Sequence, residues 1–349
     1  MKVNKKDLGK TLEITKPGLS GATIVIQADS FVFTDGRVFT YNDEISISCP
    51  LPLPQLQFDA GFIDGAIKAD ELYNYLKKVS VEEISVESSE TEVVMKAGKA
   101  IAGFALNKEI QIPIGDQMKG LGKWKKLPEN FNDAIKFAYP CAASDMANPK
   151  ITCVNFDSSG KVEATDNYRV IRWDLNQKLP FKTTLIPADS VKEVLKIYPT
   201  HVTEGDGWVY FKNEENVVIG CRVFDEKFVN IDQILASKIE GELFTFPETT
   251  ASVLERADVF NKSQNKNLKS EVIDVSYDAK FLKIQCQSET AWFKERITVK
   301  NFKGSNFNFR ITPYLLRDIL KQTNICIVSD NMLKFQSDNW VYISTLFVQ

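Results

Sequence analysis

The sequence predicts an α+β protein of three repeated domains, each with two helices packed on antiparallel sheets. Three observations predict it. Residues 67–77, 186–196 and 311–321 copy one another: each has a leading Ile, apolar residues at the sixth, ninth and tenth positions, and a closing Lys. They start at 67, 186 and 311, so their spacing is close to a third of the 349-residue chain. That is far longer than the roughly 20–50 residues of solenoid or propeller repeats, and each repeat can be a whole domain. Around each copy the hydrophobic period switches to two, and a further helix opens each repeat.

The elements follow in order. A short, weak helix at 5–12 opens the first domain. Residues 22–27, 30–34 and 44–48 read as strands. The first copied helix follows at 67–77, then strands at 83–87 and 91–96. A helix at 127–138 opens the second domain. Strands at 151–156, 208–212 and 217–223 surround the second copied helix. There Val191, Val194, Leu195 and Tyr198 recur at i, i+3, i+4 and i+7 as one apolar stripe. A helix at 247–260 opens the third domain, with strands at 272–277, 281–286 and 340–344 around the third copy. Pro187 and Pro313 sit where a first-turn proline is tolerated, and Thr312 is placed to cap the third copy. Asp35-Gly36, Ser159-Gly160 and Asp206-Gly207 are tight-turn signals. Mixed order with hairpin connections argues for antiparallel sheets. Linkers at 115–126, rich in Gly and Lys, and at 237–243 place the domains at 1–122, 123–243 and 244–349.

Composition narrows the function. The chain is 44% hydrophobic and 26% charged, a globular composition with enough apolar mass for real cores. No apolar run is long enough to span a membrane, and the N-terminus lacks the apolar stretch of a secretory signal. Six scattered cysteines, none in CxxC, read as reduced, buried thiols of a cytoplasmic protein, and no metal site or cofactor is expected. The net charge of −3 argues against a wholly basic nucleic-acid binder but allows a basic face.

No catalytic constellation is visible. The single histidine, His201, reads as a turn residue, and the phosphate-loop, dinucleotide, nucleophile-elbow and zinc-protease motifs are absent. Glu82-Glu83 and Glu214-Glu215 read as charged strand edges and turns. Residues 164–170, Ala-Thr-Asp-Asn-Tyr-Arg-Val, form the sharpest local motif, with a weaker echo at 34–38. Alone, such a motif reads as a β-hairpin turn.

In its context the chain resembles the bacterial sliding clamp, the beta subunit of DNA polymerase III. An ATDGHR-like turn is matched by Ala164 to Arg169. A strand, an Ile-Pro and a helix follow at 185–191. A closing run of the middle domain is matched by 224–235, and an aromatic last strand by 342–349. The resemblance runs in order over essentially the whole chain. Departures are Asn167-Tyr168 for the family's Gly-His, Val229 for its proline, and a Thr-Leu-Phe-Val-Gln tail for its Met-Pro-Met-Arg-Leu. A divergent member encoded by a phage or mobile element would show such departures.

The resemblance implies a non-catalytic processivity factor. It would be a homodimeric, head-to-tail ring of six domains that encircles double-stranded DNA and tethers the replicative polymerase and clamp loader. Lys77, Lys136, Lys192, Lys196, Arg256, Arg317 and Lys321 lie on predicted helices and would face DNA; Lys192/Lys196 recur as Arg317/Lys321, while the first copy has Tyr73 and Lys77. A partner-peptide cleft would use Thr165, Asn167, Tyr168, Arg169, Val170, Val229, Ile234, Ile343, Thr345 and Phe347. Val170 and Ile343 also fit a strand core. Two other readings are a clamp-like scaffold or decoy that binds replication partners without encircling DNA, and an enzyme with an unrecognised site. A ring of twice the chain mass argues against the first, and the missing His, metal and phosphate motifs against the second.

Overall fold

A computed structural model describes residues 2–21, 25–52, 63–113, 121–145, 147–261, 271–300, 302 and 304–347. Among these the helices are α1 (Lys5–Thr15), α2 (Ala69–Lys78), α3 (Phe131–Ala138), α4 (Ala188–Ile197), α5 (Asp232–Ala236), α6 (Thr250–Asn261) and α7 (Pro313–Leu320). The first twelve strands are β1 (Lys2–Asn4), β2 (Ser30–Thr34), β3 (Arg37–Tyr41), β4 (Ile45–Pro50), β5 (Gly65–Lys68), β6 (Glu83–Ser88), β7 (Glu92–Ala97), β8 (Ala100–Ala105), β9 (Lys125–Lys126), β10 (Cys153–Asp157), β11 (Lys161–Thr165) and β12 (Arg169–Asp174). The rest are β13 (Thr184–Pro187), β14 (His201–Gly205), β15 (Trp208–Lys212), β16 (Val218–Arg222), β17 (Glu242–Thr245), β18 (Ile273–Asp278), β19 (Phe281–Gln287), β20 (Trp292–Thr298), β21 (Phe307–Ile311), β22 (Ile325–Val328), β23 (Met332–Gln336) and β24 (Trp340–Thr345).

The chain forms two compact units, Met1–Lys136 with Lys178–Asp225, and Phe137–Gln177 with Glu226–Gln349. The first unit carries an antiparallel sheet in the order β5-β2-β3-β4-β16-β15-β14-β9 and a four-stranded sheet, β1-β6-β7-β8. In the second unit the strands follow the order β10-β11-β12-β24-β23-β22-β17, and a four-stranded sheet runs β20-β19-β18-β21. Each long sheet is thus two hairpin sets joined through one pair, β4 with β16 and β12 with β24, both antiparallel.

The three copied segments are α2, α4 and α7 with their preceding strand ends. Leu72, Leu76, Val191, Val194, Leu316 and Ile319 are all buried, the apolar stripe that the period predicts. The opening helices are α1, α3 and α6. α1 runs past its predicted end to Thr15, and its start is capped: Asn4 Oδ1 accepts from the Lys6 and Asp7 N–H groups at 2.9 and 3.2 Å, a side-chain cap invisible to hydrophobic periodicity.

Several expectations are corrected. Thr312 occupies the cap position of α7, but its side chain makes no cap bond and is buried. Tyr198 leaves the stripe: α4 ends at Ile197, and Tyr198 turns left-handed (φ 50°) and is 67% exposed, so Ile197 packs inward instead. The predicted strand at 22–27 is in part outside the described residues, and Val25 to Asp29 form a bend and turn with Gln27 at φ 66°. Part of the 115–126 linker also lies outside them. His201 opens β14 rather than a turn, its Nδ1 2.9 Å from Thr200 Oγ1. The three glycine turns hold. Gly160 (φ 108°) is obligatory there, since a Cβ would lie 2.0 Å from the Gln177 carbonyl oxygen. All six cysteines are buried and free. Among the described residues no helix is long and apolar enough to cross a membrane.

Candidate functional site

The sharpest motif of the sequence becomes the β11–β12 turn. Asp166 Oδ1 accepts from the Tyr168 and Arg169 N–H groups, both at 3.0 Å, and Asn167 takes the left-handed conformation at φ 72°. Thr165 Oγ1 donates to the Arg169 carbonyl at 2.7 Å. The echo at 34–38 is not this turn's counterpart. The same position in the first unit is the β3–β4 turn, where Asn42 Oδ1 accepts from Glu44 and Ile45 N–H at 2.9 and 2.8 Å. Residues 34–38 make the preceding hairpin.

Arg169 is 4% exposed and acts as a strut. Its Nε lies 3.0 Å from Asp166 Oδ2 and its Nη1 3.3 Å from Asp318. Its Nη2 donates to the Pro140 carbonyl, and its guanidinium sits 4.9 Å over the Tyr314 ring. Burial pushes the Asp166 carboxyl up, against the pull of Arg169 and the two N–H groups. Arg169 therefore shapes the site from beneath while also contributing to its lining.

Next along β12, Val170 pairs in register with Ile343 of β24. These two and Ile231 form a buried cluster, 5%, 2% and 3% exposed, ringed by partly buried Phe228, Val229, Leu235, Ile239, Met332 and Val341. The reading of Val170 and Ile343 as strand core is correct, and they make the floor of an apolar surface. At its end Tyr168 and Phe347 lie 6.1 Å apart, and Thr345 Oγ1 donates to the Tyr168 carbonyl at 3.0 Å. A cavity of about 560 Å³, lined by Asn148, Ile151, Asn167, Tyr168 and Tyr314 among others, adjoins the turn.

Nine of the ten predicted cleft residues thus come together. Ile234 does not: it is 40% exposed and outside the cluster. On the one-turn α5, Leu235 N–H bonds to the Ile231 carbonyl at 3.0 Å, so Ile231 and Leu235 share the inward face and Ile234 points away. The four-residue spacing of Ile231 and Leu235 was the sequence signal for this. Asp166 stood out only as part of the 164–170 turn motif, and Tyr314 and Asp318 carried no signal, because their role comes from a strut between distant segments.

The predicted DNA-facing cations fall in two classes. Lys136 and Lys192 are exposed, with no carboxylate at ion-pair distance among the described residues. Lys77 is exposed and sits 4.4 Å over the Tyr73 ring, which Lys16 also approaches at 4.4 Å. This explains Tyr73 in the first copy: it is buried and supports two ammonium groups. The others are already paired: Lys196 with Glu193 at 2.7 Å, Arg256 with Glu295 at 2.7 Å, Arg317 with Asp258 at 3.7 Å and Lys321 with Asp318 at 3.9 Å.

No protein-family model and no curated protein matches the chain. Solved structures do. The sliding clamp of Bacillus subtilis DNA polymerase is 17% identical with a TM-score of 0.74, over 100% of this chain and 98% of that one. The DNA polymerase III beta chain of Streptococcus pneumoniae TIGR4 is 17% identical, with a TM-score of 0.78 over 100% and 99%. The Pseudomonas aeruginosa sliding clamp bound to griselimycin is 14% identical, with a TM-score of 0.77 over 100% and 99%. The chain has the sliding-clamp fold. Its mixed helices and antiparallel sheets are those of the clamp fold from end to end, so the helix pairs and joined sheets described above are the fold's repeating parts.

Proposed function

We propose that the chain is a DNA sliding clamp, a non-catalytic ring that encircles duplex DNA and tethers a replicative polymerase, loaded by a clamp loader. Its three domains would be 1–122, 123–243 and 244–349. One observation carries the reading beyond fold likeness. Both long sheets are closed through a joint, β4 with β16 and β12 with β24, whereas among the described residues the two four-stranded sheets end on open edges, β20 and β8. In strand order β20 corresponds to β4 and β12, and β8 to β16 and β24. The two short sheets are therefore halves of a third joint that two copies would close head to tail. Exposed apolar residues support this: Ile101 on β8 is 69% exposed, and Trp292 on β20 and Val259 on α6 are each 71% exposed.

Sliding needs attraction to phosphate without base readout. Exposed lysines on helices supply it, and paired cations such as Arg256 contribute less until DNA displaces their carboxylates. The Val170–Ile231–Ile343 floor and its apolar ring support the docking of a short peptide with hydrophobic anchors. Light scattering tests the assembly: a mass twice the 39.5 kDa of one chain is expected, and a stable monomer or a trimer refutes it. Retention on nicked circular DNA that is lost on linearising the DNA tests the ring. A decoy scaffold would bind partner peptides but show no such topological retention.

A further inference from the structure

Away from the groove, the first unit holds a cavity of about 680 Å³ at the β2–β3 turn, lined by Asp35, Arg37, Pro50, Leu121, Trp124 and Lys212 among others. Two of these side chains are cations without a counter-ion. The half-buried Arg37 donates from Nε to Ser48 Oγ at 2.6 Å and from Nη2 to the Asn216 and Ser48 carbonyls at 2.7 and 3.2 Å. Every one of these acceptors is neutral, and no carboxylate lies at ion-pair distance among the described residues. Lys212 is likewise unpaired there and sits 4.5 Å over the Trp124 ring.

The second unit supplies an internal control. Counting back five residues from the Asn42 and Asp166 turns aligns Arg37 with Lys161; the partners in register are Pro50 and Asp174. Across the joint, Lys212 pairs with Val218 of β16, and its counterpart is Gln336, paired with Val341 of β24. The same framework thus carries Lys161, Asp174 and Gln336 in one unit, with a carboxylate opposite the cation, but Arg37, Pro50 and Lys212 in the other. Of the two joined sheets, only the first unit's lacks a carboxylate opposite that cation; in the third repeat the counterpart, Lys283, lies opposite Arg296 and is paired with Asp278. A half-buried guanidinium with neutral partners loses hydration without gaining a counter-charge, so an anion placed beside it is bound more strongly than at the surface. Asp35 at the lining, and exposed Glu214 and Glu215 in the turn that holds Asn216, oppose a polyanion.

We propose that this cavity binds a carboxylate carried on an apolar body, the carboxylate on Arg37 and Lys212 and the apolar part against Trp124 and Leu121. Its source is either a free carboxylic acid or an acidic side chain of a peptide, and the arms of the test separate them.

The test follows the Trp124 indole N–H resonance of the 15N-labelled full-length chain, assigned with Trp124→Phe. Probes are 3-phenylpropionate, its neutral amide, the peptide Ac-Gly-Asp-Phe-Gly-NH2 and a thymidine oligonucleotide. Saturable shifts with the acid are expected, with the amide binding about tenfold or more weakly. Lys212→Met, a half-buried rim change, should weaken the acid about tenfold without altering the thermal melt. Response to both acid and peptide supports a carboxylate from either source, and response to the peptide alone supports a peptide source. Equal binding of acid and amide, unchanged binding in Lys212→Met, a response to the oligonucleotide alone, or no response to any probe at millimolar concentration overturns the proposal.

Discussion

At the residue scale, the Arg169 strut illustrates how a buried ion pair ties the β11–β12 turn to the rest of its unit. Arg169 joins the turn through Asp166, α7 through Asp318 and the segment after α3 through Pro140. Replacing it with Met leaves Asp166 buried without its counter-charge, at a cost of about 3–5 kcal/mol at neutral pH. The pH dependence follows from the sign of the shift. The Asp166 carboxyl already titrates above its ordinary 3.8, so as pH rises from that value through the folded one it subtracts stability. Arg169→Met raises Asp166 further, so the variant should lose more stability at neutral than at mildly acid pH, where Asp166 is protonated. Urea unfolding at both pH values checks this, and equal losses would refute it. In the groove, Phe347→Asp places a charge beside the Tyr168 ring on a half-buried residue. It should abolish capture of a polymerase-derived peptide while the far-UV spectrum is unchanged. Ile343 is unsuitable for that test, since at 2% exposure even Ile343→Ala should cost about 2–5 kcal/mol.

At the element scale, α1 and the open strands make separate predictions. Asn4→Ala removes the side-chain cap of α1 and should cost about 1 kcal/mol, read as a lower urea midpoint with an unchanged slope. A loss indistinguishable from zero would mean the Asn4 bonds are replaced by water. Ile101→Asp changes a 69% exposed side chain on an open edge strand, so unimolecular stability should move by no more than about 0.5 kcal/mol. If β8 is half of the third joint, the same change should halve the mass seen by light scattering. A variant that keeps the parent mass would remove β8 from the interface.

At the scale of the whole molecule, a net charge of −3 is compatible with the proposed retention on DNA only through the distribution of charge. The chain carries 46 acidic and 43 basic residues, so any attraction to DNA must come from where the lysines sit. Neutralising Lys77, Lys136 and Lys192, the predicted cations without a carboxylate partner, should shorten retention on nicked circular DNA for every sequence alike and flatten its salt dependence. Neutralising Arg256 and Arg317, already paired with Glu295 and Asp258, should do less. The opposite ranking would mean that the pairs open on DNA.

The nine groove members follow from the family resemblance; local patterns in the chain were enough to reveal the three-fold repeat, the two helices of each repeat and the hairpin turns. Each rests on a short-range rule: a 3.6-residue stripe, a two-residue alternation, a turn that needs Asp, Asn or Gly. What local patterns could not decide is long-range. The Ile231–Leu235 spacing marks one face of α5, but that this face packs against Val170 and Ile343, leaving Ile234 out, is decided by tertiary structure. Arg169 reads as a cleft residue until Asp318, 149 residues away, is found beside it. The joints β4 with β16 and β12 with β24 pair strands more than 160 residues apart, because an open edge must find a partner somewhere in the fold. Likewise Arg37 and Lys212 become one site only when tertiary structure brings their strands to the same cavity, and no spacing in the sequence encodes that proximity.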